Sequence, residues 1–264
     1  MSRACIAAGI GAAVLAVATA AQAGRSCEPR PPSADAVTRS LALAEHAAAR
    51  LDATGAKVVV LARAGQNLSE YGLRYSHFGL AYRDGDGRGA VWRVVHKLNA
   101  CGTAQAALYR QGLGEFFLDD LYQYEAAVVV LDPDVQNHLL PVLRDNARVA
   151  RLDTPAYSMV AYPWSVRYQQ SNQWAIETLA SAQEPAANTR ERAQAWLKLQ
   201  GYEPTTLRIS ALKRLGARVS AANIAFDDHP NDKRFSDRIE TVTVDSVFDW
   251  LNRSGMGGAV QVIR

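Results

Sequence analysis

The sequence predicts an α+β protein, and three observations support this class. An amphipathic helical pattern covers residues 34–52. Two extended runs, residues 74–82 and 90–99, flank a turn rich in glycine and aspartate, as expected for a β-hairpin. The C-terminal third, from residue 189 onward, alternates helical with short strand-like patterns. The chain therefore combines a sheet with separately placed helices rather than repeating one unit.

The first half of the chain contains the predicted sheet. Ser33 is the expected N-cap of the first helix, because its hydroxyl can accept a hydrogen bond from the first turn. A short apolar run at residues 56–65 predicts a buried strand, and residues 125–133 predict another, which Pro133 ends. Between them, residues 101–122 predict a helix and a loop.

Helices dominate the predictions for the second half. A short helix carrying a surface His138 is expected at residues 134–145, followed by strand and loop at residues 147–170. A new helix is predicted to begin at Ser171, and a final one covers residues 245–253.

Two amphipathic helices are expected within residues 189–219, the second ending at Gly216. Strands are expected at residues 221–226 and 238–244.

The first 23 residues have the features of a secretory signal peptide. Arg3 precedes a long Ala, Val and Leu run that ends in Ala-Gln-Ala before Gly24, so we expect a periplasmic or secreted protein. The remaining chain divides into a core domain at residues 24–185 and an α/β extension at residues 186–264. In an oxidising compartment, Cys27 and Cys101 can form a disulfide, with two unpaired thiols as the alternative.

Composition and hydropathy bear on the classes of partner that this protein can have. A net charge of +3 gives no argument for a nucleic-acid partner, and no stretch after the signal peptide is long and apolar enough for a membrane helix. No cofactor and no metal site is predicted. Asp227, Asp228 and His229 are neighbours that cannot all face one ion without a special turn, so a solvated turn is expected there.

One pattern of histidines is typical of a site for nucleophilic catalysis. In RYSHFGLAY, residues 74–82, His77 shares its strand face with Gly79 and Ala81, and His96 lies on the partner strand of the hairpin. A histidine base, a polar residue that orients it and a nucleophile at a helix start are the parts of a nucleophilic site. Ser171 can supply the nucleophile, or it can act only as a helix cap.

The RYSHFGLAY segment and the later YQQSNQWAIETLA resemble the histidine strand and the nucleophile helix of circularly permuted NlpC-type papain-like hydrolases. The resemblance covers about residues 55–182, and the long stretch is also similar to an uncharacterised family of exported bacterial proteins. It implies a permuted papain-like core, in which an antiparallel sheet with both histidine strands carries the capped Ser171 helix, plus the C-terminal helical and strand extension.

The resemblance also implies roles for individual residues. His77 matches the base, His96 the orienting residue and Ser171 the nucleophile position, where the family has cysteine. Tyr75, Ser76 and Asn172 beside them are candidate substrate-binding residues. Gly79 and Ala81 are expected to let the Ser171 helix approach the sheet.

Three hypotheses follow. The first is a hydrolase that cleaves an amide or ester in cell-envelope material. The second is a non-catalytic relative that keeps the cleft to bind a peptide, lipid or glycan fragment. The third is an interaction scaffold, which would have a closed cleft and an exposed apolar face on its C-terminal helices.

Overall fold

A six-stranded antiparallel sheet forms the centre of the protein. The computed structural model describes residues 31–264, apart from the side chains of residues 88 and 218–220. In spatial order the sheet is β4-β3-β2-β1-β5-β8. Its strands are β1 Val58–Ala64, β2 His77–Asp84, β3 Val91–Asn99, β4 Ala106–Gly112, β5 Gln123–Val130 and β8 Gln261–Ile263. A separate antiparallel pair is formed by β6 Thr205–Arg208 and β7 Arg238–Thr241.

Helices cover both faces of the sheet. They are α1 Ala34–Ala53, α2 Leu113–Phe117, α3 Pro133–Leu143, α4 Asn146–Ala150, α5 Ser171–Gln183, α6 Arg190–Leu199, α7 Ala211–Ser220, α8 Asn231–Arg234 and α9 Val244–Arg253. Short 3-10 helices occupy Ser69–Tyr71 and Gly87–Gly89.

Alternating side chains of the central strands divide the apolar residues packed on the six-stranded sheet into two clusters. Phe78 and Leu80 of β2 belong to the cluster that includes Trp174 of α5 and the buried residues of α3 and α9. Ala81 belongs to the opposite cluster, with α1 and the phenylalanines of α2. Both faces of the sheet are therefore buried, which explains why β1 has no exposed residue.

The α+β prediction is confirmed, as are several of its elements. Ser33 caps α1 by accepting a hydrogen bond from the Ala36 amide at 3.1 Å. The hairpin of β2 and β3 is antiparallel, and the helix that begins at Ser171 is present. Exposed His138 lies on α3, as predicted.

Other elements differ from the prediction. Residues 101–122 contain the predicted helix as the short α2, but residues 106–112 form β4, because pairing along the edge of β3 provides hydrogen bonds that local propensity does not report. Two predicted strands are absent from the described structure. Residues 147–170 contain most of α4 and loops, and residues 221–226 form a loop. The helix α7 continues through Gly216 to residue 220, since a glycine inside a helix costs only about 1 kcal/mol.

The C-terminal segment contributes to the central sheet. The strand β8 pairs with β5, an element that the sequence pattern did not predict. Residues 1–30, which include the predicted signal peptide and Cys27, lie outside the described residues, so the disulfide with Cys101 stays a prediction.

The expected role of the small residues beside His77 is wrong. The helix α5 packs on the face that carries Phe78 and Leu80, whereas Gly79 faces the other way. A methyl group on Gly79 would lie 2.4 Å from Val94 Cγ1 and 3.1 Å from His96 Cβ. Gly79 therefore makes room for the neighbouring strand and for the second imidazole, not for the helix.

Candidate functional site

The hairpin of β2 and β3 brings two buried imidazoles into contact. Leu80 pairs with Val95 across the hairpin, so His77 and His96 lie diagonally on one face. His77 Nε2 and His96 Nδ1 are 2.8 Å apart. The two histidines that the sequence singled out therefore do meet.

Two further side chains extend this contact. His96 Nε2 is 2.7 Å from Gln111 Oε1, at the end of β4. Gln111 Nε2 in turn donates to Glu115 Oε1 at 3.0 Å, in the first turn of α2. Sequence reasoning missed Gln111 and Glu115 because it did not predict β4. We call these four side chains, Glu115, Gln111, His96 and His77, the imidazole relay.

The relay determines which ring nitrogens carry protons. The Glu115 carboxylate can only accept, so the amide group of Gln111 faces it and the Gln111 oxygen faces His96. His96 must then carry its proton on Nε2, which leaves Nδ1 as the acceptor for the Nε2 proton of His77. In neutral His77 the remaining nitrogen, Nδ1, has a free electron pair.

Burial and a nearby cation keep both imidazoles neutral. Burial, together with the positive charge of Arg63, lowers the pKa of His96 to about 3, although its hydrogen bond to Gln111 acts in the opposite direction. The pKa of His77 is lowered well below its usual value, first by burial and then by Arg63 and His96. At neutral pH both imidazoles are therefore uncharged.

Arg63 is a buried cation next to the two imidazoles. It lies opposite His77 in the register between β1 and β2, and only 3% of the residue is exposed. Its guanidinium donates to the Phe116 carbonyl and pairs with the Asp119 carboxylate. Its position in the sequence could have pointed to this role, because Arg63 is the single charged residue of the apolar run VVVLARA. A charged residue in a buried strand is rare unless it has a partner.

The nucleophile candidate lies at the first turn of α5. The N-cap position belongs to Gln170, whose backbone N–H reaches Gln173 Oε1 at 3.4 Å, so Ser171 is not the helix cap. Burial raises the pKa of Tyr157, and its side-chain hydrogen bond with Ser171 acts in the opposite direction. Among the described residues, no hydrogen bond joins Ser171 to His77.

A buried polar network positions the segment that leads into α5. The ammonium group of Lys97, fully buried on β3, donates to Asp153 Oδ1 at 2.6 Å, to the Thr154 carbonyl at 2.6 Å and to Gln169 Oε1 at 2.8 Å. Gln169 also donates to the buried Glu177 at 2.7 Å. The network ties the loop before Ser171 to the same strand that carries His96.

His77 and Ser171 line one cleft of about 560 Å³. Ser76 lies in its wall and accepts a hydrogen bond from the Gly65 amide at 3.0 Å. Asn172 also lines it, and its side-chain oxygen accepts from the Phe78 amide at 3.2 Å. The volume is in the range of small-molecule sites, so the cleft can accept a ligand at both candidate residues.

Tyr75 is placed differently from the other candidates. Its ring is buried, and its hydroxyl donates to Glu125 Oε1 at 2.9 Å. It does not line the cleft of His77 but a neighbouring apolar cavity.

The acidic segment near residue 228 has a structural role. The expected turn is present at Asp227 and Asp228, but it is not solvated throughout, because His229 is buried between Asp228, at 3.0 Å, and the Glu240 carbonyl, at 2.9 Å. Across residues 31–264, no group of three or more His, Cys, Asp or Glu side chains could hold a metal ion.

Sequence comparison identifies the family. The model of a family described as an uncharacterized protein conserved in bacteria (DUF2145) matches residues 50–251, which include every residue of the imidazole relay and the cleft residue Ser171. The chain belongs to this bacterial family. Comparisons with the curated proteins and with the solved structures found no match.

The family match extends beyond the predicted core domain. It reaches residue 251, near the end of α9, and thus includes most of the C-terminal extension. In the part of the chain that the structure describes, no helix has the length and apolar character needed to cross a membrane.

Proposed function

We propose that this protein is an exported hydrolase that cleaves an amide or ester bond in cell-envelope material, with Ser171 as nucleophile and His77 as base. The observation that carries the proposal is the imidazole relay, which leaves Nδ1 as the unprotonated nitrogen of His77, a residue that lines the same cleft as Ser171. Export rests on the signal-peptide pattern of residues 1–23.

The reaction follows from these positions. Ser171 Oγ attacks the carbonyl carbon of the substrate, and its proton passes to His77 Nδ1. His96 accepts the Nε2 proton of His77 in a hydrogen bond and so holds the imidazolium in place. The protonated His77 then gives its proton to the leaving amine or alcohol, and a water molecule releases the acyl group from Ser171 by the same steps.

A permuted papain-like core is part of the proposal. Its support is the order of elements, because the histidine strand β2 precedes the helix of Ser171 along the chain. The helix α5 packs against β2 and β3, as the resemblance requires of a nucleophile helix. Serine replaces cysteine at the helix start, so proton transfer to His77 must accompany the attack instead of preceding it.

A fluorophosphonate probe of serine hydrolases tests the proposal on the purified protein. We expect wild type to be labelled, Ser171→Ala to give no labelling, and His77→Ala to react about 10²–10⁴-fold more slowly, the usual contribution of a general base. Ser254→Ala, at an exposed position after α9, is the matched control and should label like wild type. Circular dichroism of each variant verifies folding.

Two observations favour a non-catalytic binding protein as the second candidate. Among the described residues, no hydrogen bond joins Ser171 to His77, and burial together with Arg63 disfavours the imidazolium that a base must become. If folded wild type stays unlabelled by both a large and a small phosphonate, the hydrolase proposal is wrong and the binding function is favoured. The scaffold hypothesis is met on one point only: Leu212 and Leu215 form an exposed apolar face on α7, but the cleft of about 560 Å³ is not the closed one it expects.

A further inference from the structure

A second cavity adjoins the cleft of His77 and Ser171. Its volume is about 670 Å³, and its walls come from the loop before β2, from β6, from the loop before α8 and from α7. Apolar side chains form most of the wall, among them Leu73, Met159, Leu207, Ile224 and Phe226. We call it the apolar cavity.

The apolar cavity and the cleft share part of their walls. Both are lined by Gln66, Ser76, Met159, Gln170 and Asn172. Asn172 is next to Ser171 in the first turn of α5, and Ser76 is next to His77. A molecule that fills the cavity can therefore extend directly to the two proposed reacting residues.

Several polar groups around the apolar cavity already have partners. Gln170 Nε2 donates to Thr241 Oγ1 at 2.5 Å, and Lys213 pairs with Glu70, both of them more than half exposed, at the rim. A peptide backbone placed against the apolar part of the wall would leave many of its own N–H and C=O groups without partners, at a cost that an aliphatic chain does not have. The walls are therefore suited to a ligand without polar groups along its length.

The rim of the apolar cavity is itself apolar on one side. Leu212 of α7 lines the cavity and is 80% exposed, and Leu215, one turn further, is 62% exposed. Exposed leucines at a cavity rim provide a route by which an aliphatic chain can enter from a micelle or a lipid surface.

We propose that the apolar cavity binds the aliphatic chain of an acylated envelope molecule and places its ester or amide carbonyl at Ser171. This inference rests on the proposed function and names its substrate class. It assigns Leu73 and Ile224 to chain binding, because both are half-buried and face the cavity from different segments.

Calorimetric titration of the Ser171→Ala protein with straight-chain fatty acids, from hexanoate to tetradecanoate below their micellar concentrations, tests the inference. Each added CH₂ should tighten binding about fourfold until the cavity is filled. Leu73→Trp and Ile224→Trp, which occupy the cavity, should each weaken tetradecanoate binding at least tenfold. The control Leu199→Trp, at a position 81% exposed on α6, should not change it.

The outcomes separate this inference from the proposed function. An affinity that does not depend on chain length, or binding that withstands tryptophan at both cavity positions, overturns the inference. Tighter binding of apolar peptides than of the fatty acids would also overturn it, in favour of a peptide site. Phosphonate labelling of wild type tests Ser171 independently, because a short probe needs only the cleft.

Discussion

Acid should destabilise this protein through its two buried imidazoles. An unfolded histidine titrates near 6.5, whereas burial lowers the pKa of His96 to about 3 and that of His77 well below its usual value. As pH falls below about 6.5, the unfolded chain therefore binds protons that the native chain does not. The free energy of unfolding decreases with falling pH in this window, and the stability from His96 is fully present above pH 6.5.

The size of the effect follows from the pKa of His96. One pKa unit corresponds to about 1.4 kcal/mol, so His96 alone should remove about 2 kcal/mol of stability between pH 7 and pH 5. The loss approaches about 5 kcal/mol near pH 3, where native His96 begins to bind its proton. His77 adds to the loss with the same sign.

Urea unfolding at pH 7 and at pH 5, followed by tryptophan fluorescence, measures this difference. The variant His96→Gln, whose side chain does not titrate, should lose about 2 kcal/mol less than wild type between the two pH values. The exposed His138→Gln is the matched control and should behave like wild type. Equal losses in wild type and His96→Gln would refute the reasoning.

Two further predictions concern packing and the buried network. Gly79→Ala should destabilise the protein by about 1–3 kcal/mol in urea unfolding, because the new methyl group would lie 2.4 Å from a methyl of Val94. The control is Gly89→Ala, whose new methyl group would point into open space, and its effect on stability should be close to zero. Lys97→Met should cost about 3–5 kcal/mol, because it leaves buried acceptors without their donor, whereas the exposed Lys57→Met should change little. A Gly79→Ala variant as stable as wild type, or equal effects of the two lysine replacements, would contradict these assignments.

Local patterns predicted the parts of the site that depend on one or two neighbouring elements. Alternation along two strands with a short turn places His77 and His96 on one face, since side chains repeat every second residue and the hairpin sets the register. The start of the helix at Ser171 follows from its helical periodicity. Both features depend only on backbone geometry within short segments.

The residues that complete the site come from distant segments. The relay partners Gln111 and Glu115 depend on β4, which forms only because the edge of β3 is available for pairing. Arg63 faces His77 because β1 lies beside β2 in the central sheet. No periodicity within either strand reports these neighbours.

Packing between distant elements also selects the face of the sheet that α5 covers. Strand alternation alone places His77 and Gly79 on one face and Phe78 and Leu80 on the other. Either face could have received the helix, and the apolar area of Phe78 and Leu80 packs against Trp174. The apolar cavity also depends on the tertiary structure, because loops, β6 and α7 each contribute one part of its wall. The sequence pattern of any one of these segments does not show that they meet.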